Sequence, residues 1–185
     1  MLQVEPTDIP DVKILTPKRF GDERGFFSET FNRDRLIQAG ISLDFIQDNH
    51  SLSARVGTVR GLHFQDEPFA QDKLVRVVRG RILDVVVDIR PTSRTYGRHV
   101  SVELSASNWQ QLFVPKGFAH GFCTLEPDTE VLYKVSEYYS AVHDRGIAWD
   151  DPALGIRWPV EAGSAILSDK DRHHPTLAEL HRAAA

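Results

Sequence analysis

At 185 residues the chain fits one domain, with room for a core that needs no disulfide support. Twenty-two basic against 26 acidic side chains, a net charge of −4 and no basic block argue against a nucleic-acid or membrane-surface partner. A lone Cys123, no basic-then-apolar leader and no long apolar run lead to the expectation of a cytoplasmic protein without membrane spans.

From Met1 to about Ile46 the chain reads as strands and loops feeding a larger β-structure, with one short helix. Asn32 caps that helix, which runs from Arg33 to Ala39 and stops at Gly40. Next, GTVRGLHFQ (57–65) reads as a strand in which Val59, Gly61 and His63 point one way, so that His63 faces the interior. Lys73 shares parity with Val75 and Val77. Gly80, between Arg79 and Arg81, marks a hairpin turn. Beyond it, Leu83, Val85, Val87 and Ile89 alternate with Asp84 and Asp88, the pattern of a strand with one buried face. Val100, Val102 and Leu104 form another strand, as do Val131, Tyr133 and Val135. After Pro175, Leu177 to Arg182 makes a further turn or two of helix. Many short strands broken by Gly, Pro, Asp and Ser predict an all-β fold, a sandwich or closed barrel, in a single domain over residues 1–185.

Several chemistries are missing. There is no glycine-rich dinucleotide fingerprint, no phosphate loop and no cysteine pair for zinc. His63 stands where a metal-binding β-barrel of the cupin type begins a His-x-His pair, but the second position is Gln65, a weak ligand. His120 is at most a distant partner, so no metal is expected. Arg60, His63, Lys73, His120 and Tyr133 all fall on or beside predicted strands, and His63, Lys73 and Tyr133, aimed at one interior by their parity, are costly to bury without a task or partners. Asp171, in LSDKD, is the candidate to orient His63, although that run reads first as a polar surface turn. The pair His173–His174 reads as solvated tail. Phe26–Phe27 and Tyr138–Tyr139 suit a core, an interface or a stacking surface, and Arg24 and Glu29 flank the first pair in what reads as an exposed turn.

These segments resemble the dTDP-4-dehydrorhamnose 3,5-epimerases. The matching runs are GDERGFFSE from Gly21, QDNHS from Gln47, RGLHFQ from Arg60, KLVRVVRG from Lys73, DVVVDIR from Asp84, VPKGFAHGF from Val114, RGIAWDDPALGIRWP from Arg145 and LSDKD from Leu167. Together they cover nearly the whole chain in order. The resemblance implies a cupin-like jelly-roll β-barrel with a few short helices, in a homodimer whose N-terminal segments (about 1–46) exchange. The implied substrate is dTDP-4-dehydro-6-deoxy-D-glucose, epimerised at carbons 3 and 5 without a cofactor. His63 with Asp171 would be the base, Tyr133 the acid, and Lys73 with His120 would steady an enolate. Arg60, Gln47, Asp48 and Asn49, with Arg24 and Glu29 from the partner, would hold the nucleotide, and Tyr139 would stack on thymine. Asp144 and Lys170 occupy further ligand positions. Asp72 and Glu137 depart from the family pattern, which usually has glycine and asparagine there. The rivals are a 3-epimerase of a related dTDP-keto-sugar, a non-catalytic cupin, and a metal-dependent cupin that Gln65 argues against.

Overall fold

Short runs rich in β-branched residues set most of the architecture, which a computed structural model describes for residues 2–184. In chain order these are β1 (Gln3–Pro6), β2 (Lys13–Thr16), β3 (Arg19–Asp22), β4 (Gly25–Ser28), α1 (Arg33–Gln38), β5 (Gln47–Ser53) and β6 (Val59–Gln65). There follow β7 (Lys73–Arg79), β8 (Arg81–Asp88), β9 (His99–Ser105), β10 (Gln111–Val114), β11 (Phe118–Thr124), β12 (Thr129–Val135), β13 (Asp144–Gly146) and α2 (Leu177–Ala184). A six-stranded antiparallel sheet, β1-β2-β10-β7-β12-β5, faces a five-stranded one, β13-β6-β11-β8-β9. β3 and β4 pair apart from both as a hairpin. This is the expected all-β, cupin-like barrel with two short helices.

The core between the sheets takes Val75, Val77, Leu112 and Val131 from one side and Ile82, Val86, Leu104 and Phe122 from the other. Each such side chain, fully buried, contributes roughly 1.5–3 kcal/mol. A second layer, Leu62, Val85, Val87 and Ala119, lies on the outer face of the five-stranded sheet beneath Ile147, Leu154 and Leu177. Helix α1 closes the outer side of the other sheet, packing Leu36 near Leu15, Leu74 and Phe113. Its cap is the expected one: the Asn32 side chain accepts the Arg35 N–H at 3.1 Å, and Gly40 follows in the left-handed region.

Three expectations about this framework are corrected. Gly80 does not close a hairpin, because β7 and β8 belong to different sheets; it turns the corner between them. With φ +76°, and an added Cβ only 2.3 Å from Thr129 Oγ1, only glycine fits there. Strand β8 is buried on both faces, and its Asp84 and Asp88 point inward with Ile82 and Val86, both at 0 % exposure. The aliphatic set Leu83, Val85 and Val87 faces the outer layer. Finally, Val59 and His63 do not point the same way. The β6–β11 register pairs Arg60 with Phe122 and His63 with His120, three steps against two, so a bulge sits at Gly61. Val59 packs outward on Cys123 and Trp149, while Arg60 and His63 both turn inward.

Candidate active site

The bulge is what brings two polar side chains of opposite sequence parity into one space. A cavity of about 440 Å³ is lined by Arg60, His63 and His120 from the five-stranded sheet and by Lys73 and Tyr133 from the six-stranded one. Lys170 and Asp171 close it from the segment after β13. A chamber of about 270 Å³ shares His63, Lys73, Tyr133 and Lys170 and adds Gln47, Asn49, Tyr139 and Asp144.

His63 Nε2 lies 2.5 Å from Asp171 Oδ1, and the aspartate is 4 % exposed. The surface-turn reading of Asp171 is thus wrong: the LSDKD run folds back onto β6. Burial would raise the Asp171 carboxyl, but the neighbouring imidazoles of His174 and His63 outweigh it and hold the group well below the usual carboxylate range. Burial also lowers the His63 pKa, against the pull of Asp171. With Nε2 committed to Asp171, Nδ1 is the nitrogen left to work as a base. Lys73 is buried, donates to the His63 carbonyl at 3.3 Å, and is lowered by burial to about 8. Burial raises the Tyr133 phenol. His120 pairs with Asp84 at 2.8 Å in full burial.

The second chamber is braced differently. Tyr139 donates its hydroxyl to Asp144 at 3.0 Å, and Asp144 also holds Lys170. Gln47 donates to Asn49 at 2.9 Å and accepts the Tyr139 N–H at 3.1 Å. Gln65 spends its whole amide on the backbone, donating to Phe69 and Tyr138 carbonyls and accepting the Ser140 N–H at 2.7 Å. It ties the Tyr139 loop to β6. Arg60 is exposed and anchored on Ser53 and the Leu52 carbonyl. The two departures are local: Asp72 accepts from Ser136 and the Lys116 N–H, and Glu137 accepts the Tyr138 N–H. Neither lines the two chambers.

Three expected ligands lie outside the cavity. Asp48 points to the other face of β5, pairing with Lys134 at 2.7 Å, because 47 and 49 take the inward parity. Glu29 shares that outer groove and pairs with Arg35 at 3.0 Å. Arg24 sits beside the β3–β4 turn, exposed and paired with Asp22. Two residues escaped the sequence reading. Asp84, bonded to His120, sits at a strand position whose acidic side chain reads as solvent-facing in the sequence. His174 is not solvated tail: its side chain is 10 % exposed and its Nε2 lies 3.5 Å from Asp171 Oδ1. Ile82 and Val86, apolar and of the same parity as Asp84, are the signal that could have placed Asp84 inside; His174 has none.

With this geometry in view, the likeness to known proteins is specific. The family model for dTDP-4-dehydrorhamnose 3,5-epimerase matches residues 6–179. A Sinorhizobium fredii protein of that name is 56 % identical over 172 residues, 93 % of this chain and 88 % of its own. A Bacillus anthracis dTDP-4-dehydrorhamnose 3,5-epimerase structure with TDP and pyrophosphate bound superposes with a TM-score of 0.92 at 54 % identity, covering 95 % of this chain and 99 % of that one. A Legionella pneumophila dTDP-6-deoxy-D-glucose-3,5-epimerase, in complex with dTDP-4-keto-L-rhamnose, matches at 42 % identity and TM-score 0.92 over 96 % and 94 % of the two chains. The chain belongs to the dTDP-4-dehydrorhamnose 3,5-epimerase family.

Proposed function

We propose that this epimerase converts dTDP-4-dehydro-6-deoxy-D-glucose to dTDP-4-dehydro-L-rhamnose by inverting carbons 3 and 5 through enolates. The carbon-4 ketone acidifies the hydrogens on both neighbours, so the reaction asks for a base, a positive group at the oxyanion and an acid, and for no redox cofactor. His63 Nδ1 removes the proton, and Asp171 steadies the imidazolium. The Lys73 ammonium and His120 face the developing oxyanion. Tyr133, coming from the opposite sheet, returns a proton to the other face of the sugar, which inverts the centre. The observation that carries this reading is the 2.5 Å His63–Asp171 pair in one cavity with Lys73 and Tyr133.

Arg60, Gln47, Asn49, Tyr139, Asp144 and Lys170 then hold the nucleotide, with Tyr139, 60 % exposed, offering a face to the base. Arg24 and Glu29 reach a partner's nucleotide across a homodimer formed by exchange of N-terminal segments, and Asp48, in the outer groove with Glu29, belongs to that seam. Support comes from the β3–β4 hairpin, whose Phe20, Phe26 and Phe27 are half or more exposed beside Arg24. A cytoplasmic setting suits the free Cys123 and a nucleotide-sugar substrate. No helix among the described residues is long and apolar enough to cross a membrane.

Incubation with the dTDP-keto-sugar in deuterated water tests the reaction. Solvent deuterium at both carbons 3 and 5 is expected. Deuterium at carbon 3 alone would make the enzyme a 3-epimerase, and none at either carbon would refute the reading.

A further inference from the structure

His174 has no part in the proposed chemistry, yet it is packed with care. Its ring lies against Gly146, where an added Cβ would stand 2.5–2.7 Å from the ring atoms Nε2, Cε1 and Cδ2. Gly146 is the register partner of His63, so β13 sets the two imidazoles side by side, their centroids 5.5 Å apart and their planes at 75°. The His174 Nε2 is buried and makes no well-formed hydrogen bond, its charged neighbour Asp171 Oδ1 standing 3.5 Å away. An orphaned buried imidazole nitrogen carries a desolvation cost that needs an explanation.

The orphan faces a carboxylate that already holds another imidazole. His63 Nε2, Asp171 Oδ1 and His174 Nε2 lie within 4.8 Å of one another. Two imidazole nitrogens and one carboxylate oxygen are a common donor set for divalent transition ions. Bonds of about 2.0–2.2 Å place such donors roughly 3–4 Å apart. The present separations from Asp171 Oδ1, 2.5 Å to His63 and 3.5 Å to His174, need only a small adjustment to reach that range. The nearby ammonium groups are offset, Lys170 by Asp144 and Lys73 by Asp84 and Asp144.

We propose that His63, Asp171 and His174 form a binding site for one divalent transition ion, zinc foremost, and that the bound ion silences epimerisation. The ion takes the place of the proton between His63 Nε2 and Asp171 and draws electron density from the imidazole, so Nδ1 loses its basicity. Zinc here is an inhibitor and not a cofactor. The inhibitory half rests on the base role proposed for His63; the ion site itself does not.

The test uses tag-free protein, stripped with a chelator and dialysed into a non-coordinating buffer near neutral pH. Zinc chloride is titrated by calorimetry, and turnover is followed at each zinc concentration relative to each variant's own zinc-free rate. One ion per chain is expected, with inhibition tracking occupancy. His174→Ala and His174→Gln each weaken binding by at least about tenfold and shift the inhibition curve by the same factor. Magnesium, which prefers oxygen donors, leaves turnover unchanged. The glutamine variant keeps most of the side-chain volume, and circular dichroism separates lost binding from lost fold. His174-dependent binding without inhibition would support the ion site and overturn the base role of His63. Zinc binding that is absent, or that persists undiminished in both folded His174 variants, would overturn the site.

Discussion

Asp171→Asn removes one charge and almost no volume from a side chain that is 4 % exposed. In the proposed mechanism, the carboxylate stabilises the imidazolium that forms when His63 takes the sugar proton, across a contact of 2.5 Å. A charge-assisted hydrogen bond of this kind contributes about 1.5–3 kcal/mol. If all of it is felt in the transition state, the rate falls roughly 10- to 150-fold, at 1.36 kcal/mol per factor of ten. An asparagine can also present its NH₂ to Nε2 and force the wrong tautomer, in which case the loss extends to about 10⁴-fold. The assay is the rate of deuterium uptake at carbon 3, which isolates deprotonation from later steps. The acid limb of its pH profile should also move to lower pH, because Asp171 is the influence that raises His63 while burial lowers it. A folded Asp171→Asn protein that exchanges within threefold of the parent, with an unmoved acid limb, would refute the assignment of the pair.

Other outcomes follow from the same geometry. Tyr133→Phe keeps the ring and deletes the proposed acid, so deuterium exchange at carbon 3 should persist while product formation drops about 10²–10⁴-fold, seen by NMR of the reaction mixture. The parent's rate should rise as His63 loses its proton below the ordinary histidine range and fall as Lys73 discharges near pH 8; Tyr133, raised by burial, stays protonated through that window. A flat profile between pH 7 and 9 would contradict the Lys73 role. Co-expressing Arg24→Ala with His63→Asn should restore one working site per mixed dimer, and mixed dimers as inactive as the His63→Asn parent would exclude a shared site. Asp88 accepts from Arg90, Ser93 and Thr95 at 2.6–2.9 Å with 0 % exposure. Asp88→Ala should therefore cost about 2–3 kcal/mol, discounted for the partly exposed Arg90, and lower the melting temperature by roughly 5–10 °C.

The sequence disclosed what depends on local periodicity. Asn32 and Gly40 bound α1 as expected, and β7, β9 and β12 follow their alternating valines and leucines. It misled where two neighbouring chains decide together. Gly61 as a bulge depends on Gly121 lying against it, since an added Cβ at Gly61 would stand 2.6 Å from Gly121 Cα. Nothing in GTVRGLHFQ alone reveals that slip. Polarity alone sends Asp84 and Asp88 to solvent, whereas both are buried and have hydrogen-bonding partners. Lys73 and Tyr133 were legible because each shares parity with core valines. Asp171 stands as a candidate beside a surface-turn reading, and only the resemblance favours it, because a polar turn carries no sign of where it folds back; His174 reads as solvated tail for the same reason.

That fold-back makes the anchor of His63 a late and detachable part. The barrel strands finish at Gly146, and Asp171 arrives on a stretch that joins the sheets through the Thr58–Ile166 bridge alone and is otherwise held by side-chain packing of Trp149, Trp158 and Leu167 near Val59 and Cys123. Local opening of such a segment costs less than unfolding the sheets. On warming, the enzyme should fall silent before its β-structure melts, and a nascent chain should complete its barrel before it can exchange a proton. Proteolytic clipping between Gly146 and Asp171 would leave a folded shell that retains Arg60, Lys73 and Tyr133 but has a histidine free to rotate.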